Sequence, residues 1–116
     1  MNFLPKPKVY VTQEVRTANY GPAEQFGEVV FLTASELSQF KNSVHNKKVI
    51  AVLRENLKNF NKEIDFIAPS GSPVITGLVF AILREKTSHF QVLKWNARDQ
   101  MYAPLFISIE ENELVH

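Results

Sequence analysis

The run Val74-Ile75-Thr76-Gly77-Leu78-Val79-Phe80-Ala81-Ile82-Leu83 constrains this chain more than any other stretch. Ser72 is placed as an N-cap, and Pro73 as the first helical residue, where its missing N–H costs no helical hydrogen bond. The spacing predicts a helix that stops near Arg84-Glu85-Lys86. Nearly every position in it is apolar, so it should be buried around most of its circumference. Gly77 lowers helix propensity by ~1 kcal/mol relative to alanine and is read as permitting close approach to a neighbouring layer. The run is far shorter than the ~20 apolar residues that span a bilayer, so the helix belongs inside a layered globular fold.

Strand-like runs surround it. Lys8-Val9-Tyr10-Val11-Thr12-Gln13-Glu14-Val15 reads as a first strand, because β-branched and aromatic residues dominate. The polar stretch Arg16 to Gly27 follows, with turn chemistry at Asn19-Tyr20-Gly21-Pro22, and Pro22 can open a single helical turn. Glu28 to Thr33 is a second strand, whose unbroken apolar centre suits burial on both faces. Thr33 and Glu36 fit a capping box, with Ser35 a competing N-cap, and predict a short helix containing Leu37 and Phe40. From about Val44 to Phe60, Val49, Leu53 and Leu57 recur every four residues on one face of a longer helix. Ile64 to Ala68 is a third strand. Phe90 to Trp95 is a fourth, and after the tight connection Asn96-Ala97-Arg98-Asp99, Met101 to Ile109 is a fifth. So short a connection requires an antiparallel hairpin, and Pro104 puts the fifth strand at an edge or demands a bulge there.

A chain of 116 residues that is 45% hydrophobic fits one globular domain rather than two, with enough buried surface for a sheet and a few helices. The absence of cysteine excludes disulfides, thiolate metal sites and cysteine nucleophiles. A formal charge of +1 provides no global attraction toward nucleic acid, so duplex nucleic acid is not an expected partner. No membrane association is expected either. The opening residues Met1 to Lys8 lack the apolar run of a secretory signal, which predicts a cytoplasmic protein.

The order β, turn-containing loop, β, helices, β, helix, β, β predicts a single α/β domain over residues 1–116, with flexible ends at 1–7 and 110–116. The fold class expected is a compact Rossmann-like three-layer domain, with a mostly parallel sheet of about five strands ending in the hairpin. This element order resembles compact Rossmann-like domains over roughly residues 8–109, including the type that senses nucleotides in CRISPR-associated proteins. The resemblance lies in element order alone, so no catalytic residue is carried over.

Ligands of open α/β sheets bind beyond the carboxyl ends of the parallel strands, near a switch in strand order. That rule selects Thr12-Gln13-Glu14 with the following Arg16 to Gly27 loop, the Thr33 to Glu36 segment including Ser35, the Ser70-Gly71-Ser72-Pro73 turn and, if strand four runs parallel to strand three, the Asn96 to Asp99 turn including Arg98. At the strongest of these, Gly71 can take turn dihedrals, Ser70 and Ser72 supply hydroxyls, and the helix beyond offers N–H groups and a positive end to an anion. The same Ser-Pro pattern is also an ordinary helix start. In the first loop, Tyr20 can stack on a base and Arg16 can meet a phosphate, with Lys94 and Arg98 completing a positive rim. The Tyr can equally pack over its loop and the Arg can be solvated.

Neither phosphate-loop nor dinucleotide fingerprint is present. Glu14 and Glu36 could approach each other as a cation or acid–base pair, but Glu36 already has a capping explanation. Asp65 reads as a turn or solvent residue. His45, His89 and His116 have no metal-like spacing, and Ser70 or Ser72 as nucleophile lacks an identifiable base. No cofactor is expected. Three functions compete: a binding or sensory protein for a phosphate-containing ligand such as a nucleotide, a homodimeric interaction module using the C-terminal edge strand, and a metal-independent phosphodiesterase or nuclease.

Overall fold

A computed structural model describes residues 5–110. Its elements are β1 (Lys8–Val11), a 3-10 segment (Gly21–Gln25), β2 (Glu28–Phe31), α1 (Val44–Leu57), β3 (Phe66–Ala68), α2 (Pro73–Arg84), β4 (His89–Asn96) and β5 (Met101–Ser108). The strands form one mixed sheet in the order β2-β1-β3-β4-β5. β1 pairs in parallel with β2 and β3, β3 pairs in parallel with β4, and β5 closes the sheet as the antiparallel arm of a hairpin. The compact, mostly parallel α/β architecture expected from the sequence is present.

Strand order explains where the helices go. The connection from β1 to β2 runs one way across the sheet, whereas those from β2 to β3 and from β3 to β4 run the other way. Crossovers of a single hand that move in opposite directions lie on opposite faces. Accordingly, Leu53 and Leu57 of α1 and Ile75, Val79 and Leu83 of α2 share one core cluster with Tyr10, Ile67 and Val92. The other face, with Val9, Val11, Ala68 and Leu93, is covered by Ala23 of the 3-10 segment and by Tyr20, Phe26 and Trp95. Among the described residues this second face carries no long helix, so the expected third layer is reduced to one short turn.

The alternation along β1 is what makes two cores possible, since Tyr10 faces the helices and Val9 and Val11 face away. On α2, Ile75, Val79, Ile82 and Leu83 are buried, each contributing about 1.5–3 kcal/mol by removal from water. Val74, Gly77 and Ala81 are exposed, so the helix is buried along one side and not around most of its circumference. A Cβ at Gly77 would meet nothing within 4 Å, which removes the close-approach reading. Ser43 caps α1 by accepting from the Asn46 N–H at 3.2 Å. Arg54 grips Glu85 with two hydrogen bonds of 2.8 and 3.0 Å, tying α1 to the end of α2, although both side chains stay in water.

Other expectations change for local reasons. The predicted short helix around Leu37 and Phe40 does not form. Thr33 Oγ1 instead accepts from Ser35 N–H, the Asn46 side chain bonds both the N–H and the C=O of Ser38, and His45 Nε2 lies 2.6 Å from the Glu36 carbonyl oxygen. Side chains thus satisfy the backbone groups that a helix would have used. Asp65 is buried, not solvated, and its carboxylate accepts from the N–H of Lys8 and of Asn61. It thereby fixes the start of β1 against the loop after α1. The acidic residues Glu111 to Glu113 and the extreme N-terminal residues 1–4 lie outside the described residues. No helix among the described residues is long and apolar enough to cross a membrane.

Candidate functional site

The direction of the crossovers reverses between β1 and β3, so the chain leaves these adjacent strands toward opposite faces. Their carboxyl ends carry Thr12-Gln13 and Ser70-Gly71-Ser72, and the two segments are locked together. Thr12, fully buried, accepts from the Ser70 N–H at 2.8 Å and donates to the Ser70 carbonyl at 2.8 Å. Its hydroxyl also lies 3.1 Å from that of Thr76 on α2. Gln13, 3% exposed, accepts from the Ser72 N–H at 2.6 Å and donates to the Ser35 carbonyl at 2.9 Å, with Glu36 Oε1 further off at 3.4 Å. Gly71 has φ +75°, and a Cβ there would collide with the Gln13 side chain.

The opening of α2 is therefore occupied by the chain's own acceptors. Ser72 Oγ receives the Val74 and Ile75 N–H groups at 3.2 and 3.3 Å, and the Gln13 carboxamide takes the Ser72 N–H. Ser72 and Pro73 stand at the two positions expected of them, N-cap and first helical residue.

Tyr20 joins this lock to the other face. Its hydroxyl accepts from Val15 N–H at 2.8 Å and lies 2.8 Å from Ser70 Oγ, while its ring meets Phe31 edge-on at 5.1 Å. Beside it the hairpin register sets Trp95 opposite Tyr102, with ring centroids 4.9 Å apart. Tyr20, Ser70, Trp95, Tyr102, Thr17 and Gln100 line a cleft of about 450 Å³. Two donors there lack internal partners among the described residues. Tyr102 is only 8% exposed, yet its hydroxyl makes no hydrogen bond and keeps contact with solvent at the cleft. The indole N–H of the half-buried Trp95 is also free. Burial, and secondarily the neighbouring Tyr20, pushes the Tyr102 phenol above the ordinary tyrosine value, so it remains a neutral donor.

The sequence-selected residues thus divide. Thr12, Gln13, Ser70, Gly71 and Ser72 come together, Ser35 joins them through its carbonyl, and Tyr20 bridges them to the cleft. Arg16 and Arg98 are exposed, one preceding Thr17 at the cleft wall and the other in the turn that leads to Gln100. Lys94 does not join them, since it alternates with Trp95 and projects to the helix-bearing face. The Ser70 hydroxyl is paired with a phenol and not with a histidine or carboxylate. Trp95 and Tyr102 were not selected by the strand-end rule. In the structure the two stand symmetrically about a loop of residues 97–100, one position later than the Asn96 to Asp99 turn expected, and cross-strand neighbours of a hairpin share one face.

A family model described as Phage Pam3 gp32-like protein matches residues 7–109. No curated protein and no solved structure matches the chain. The comparisons thus bring no link to CRISPR-associated proteins.

Proposed function

Because the chain belongs to the phage Pam3 gp32-like protein family, a description that specifies no activity, we propose from its geometry that it is a small binding protein for a nucleotide-like ligand. This reading treats the fold as Rossmann-like in one respect, the ligand position near the switch between β1 and β3. The planar ring enters the cleft between Tyr20 and the Trp95–Tyr102 pair. Its phosphate faces outward toward Arg16 and Arg98, because the first α2 amides already have acceptors.

The observation that carries the proposal is Tyr102. Tyr102 is 8% exposed as a residue, yet its hydroxyl reaches solvent, and neither that hydroxyl nor the indole N–H of Trp95 has a partner among the described residues, while both side chains line the cleft. The indole N–H only donates and the neutral phenol can donate or accept, so together they favour a ring that bears at least one acceptor atom, such as a carbonyl oxygen or ring nitrogen of a nucleobase. Aromatic walls add stacking that tolerates any base.

Calorimetry against mononucleotides and cyclic oligonucleotides tests the reading. Saturable binding is expected, weakened roughly 3- to 10-fold by Tyr102→Phe, the size of one net hydrogen bond. Arg98→Ala should weaken nucleotides and leave free nucleosides unaffected. Ser72→Ala, which removes only the helix cap, should leave affinity unchanged. Absence of binding across the panel at millimolar ligand would sink the proposal, as would inorganic phosphate binding as tightly as the nucleotides.

A further inference from the structure

Among the described residues the outer edge of β5 is unpaired, and its composition is unusual for an edge. From Met101 to Ile109 the strand contains no charged residue, while Leu105, Ile107 and Ile109 are each more than two-fifths exposed and Phe106 is 72% exposed. Free edges are normally blunted by charged side chains, proline, bulges or short length, and of these β5 has only Pro104. The opposite edge strand, β2, has four residues, begins on Glu28 and has Phe31 packed against Tyr20.

Backbone parity fixes what β5 offers. The Ile109 N–H donates to the Ser88 carbonyl at 3.0 Å, so odd-numbered residues direct their polar groups toward β4. Tyr102, Pro104, Phe106 and Ser108 then direct theirs outward. The one missing donor, at Pro104, falls in the outward set, where it costs the β4 ladder nothing. Side chains alternate as well. Leu105 and Ile107 pair with Val92 and Phe90 on the helix-bearing face, where Ile107 and Ile109 line an apolar trough of about 400 Å³ against Phe80 of α2.

We propose that two copies of this chain join through their β5 edges, antiparallel and with Phe106 opposite Phe106 of the second copy. This inference is independent of the ligand cleft. At that register the two Phe106 residues exchange both backbone hydrogen bonds, and each Ser108 N–H meets a Pro104 carbonyl, the one outward group that proline retains. The twofold axis stands perpendicular to the sheet, so both helix layers fall on one side. Leu105 of one copy packs against Ile107 of the other between them. A register centred on Pro104 would place two residues without donors at the axis, set Ile107 opposite Met101 of the second copy and leave Ile109 beyond the end of the partner strand. The absence of charge along the strand makes it compatible with its own copy, since no like charges meet.

The full chain has no cysteine, so single-cysteine variants read the register directly. Facing residues of a hydrogen-bonded antiparallel pair lie about 5.5 Å apart between Cα atoms, within disulfide range. Phe106→Cys should form a covalent dimer under mild oxidation. Ser108→Cys, displaced from its own counterpart by about 13 Å along the strand, should not. In sedimentation at ~100 μM, the unmodified chain should run as a dimer. Phe106→Lys, at a position already exposed, should run as a monomer and melt at a temperature that does not depend on concentration, whereas the unmodified chain melts higher as it is concentrated. A monomeric unmodified chain at that concentration, a Phe106→Lys dimer, or crosslinking of Ser108→Cys as fast as Phe106→Cys would each overturn the proposal.

Discussion

Replacing Thr12 by valine tests whether the lock between β1 and β3 holds the fold together. The two side chains have the same shape, so the change removes the hydroxyl and little else. Three interactions go with it: acceptance from Ser70 N–H, donation to the Ser70 carbonyl, and the contact with the Thr76 hydroxyl. Each is worth about 1 kcal/mol net, and Thr12 is fully buried, so no water takes the place of the lost oxygen. A loss of about 2–3 kcal/mol is expected.

For 116 residues, an unfolding entropy of about 2.1 cal/mol/K per residue sums to roughly 0.24 kcal/mol/K. The melting temperature should therefore drop by about 10 °C. Thermal and urea unfolding followed by circular dichroism measure it. Thr12→Ser, which keeps the oxygen and loses a methyl, should cost only about 1 kcal/mol. If Thr12→Val unfolds at the same midpoint as the unmodified chain, or is more stable than Thr12→Ser, the hydroxyl does not carry the lock.

Other substitutions follow from the same geometry. Gly77→Ala should stabilise the chain by about 0.5–1 kcal/mol, because the site is exposed, helical and open; a lower urea midpoint would contradict that. Gly71→Ala should destabilise by about 1–2 kcal/mol from the left-handed φ alone, with a further loss as Gln13 is pushed off the Ser72 N–H; an unchanged midpoint would show that Gln13 moves freely. Burial raises the phenols of Tyr10 and Tyr102 above their ordinary value, helped at Tyr10 by Asp65 and Glu28 and at Tyr102 by Tyr20. The folded chain then keeps protons that the unfolded chain releases, so this stability is intact below about pH 10 and is lost as pH rises from there. Melting curves taken between about pH 8 and 11 should slope downward at the alkaline end, and a flat profile would refute the assignment.

Much of the architecture was legible because it rests on local chemistry. Ser72-Pro73 opens a helix wherever it precedes an apolar run, and the short Asn96 to Asp99 connection permits only a hairpin. Pro104 must turn its missing donor away from a partner strand. What escaped the sequence depends on groups distant in the chain. The helix expected around Leu37 fails because Asn46 and His45 reach back to Ser38 and Glu36. Asp65 looks like a surface carboxylate until the Lys8 N–H, 57 residues earlier, is placed against it. The missing long helix on the second face follows from strand order, which no local pattern encodes.

The strand-end rule selects Thr12, Gln13 and the Ser70 to Ser72 turn, which the structure brings together, but not the donors of Trp95 and Tyr102 beside them. A helix opening binds an anion only if its amides lack other acceptors, and the sequence shows the serines without showing where Gln13 points. Once Gln13 reaches from the end of β1 to the Ser72 N–H beyond β3, its carboxamide oxygen stands where a ligand oxygen would otherwise sit. The absent Cβ at Gly71 is then needed to admit a side chain of this same protein. The proposed recognition therefore rests one strand pair away, on Trp95 and Tyr102, whose donors have no partner among the described residues. The two surfaces proposed to act both arise from the C-terminal hairpin, its cleft end for a ligand and its outer edge for a second copy. The β1–β3 lock supports them by keeping Ser70, and through it Tyr20, in position.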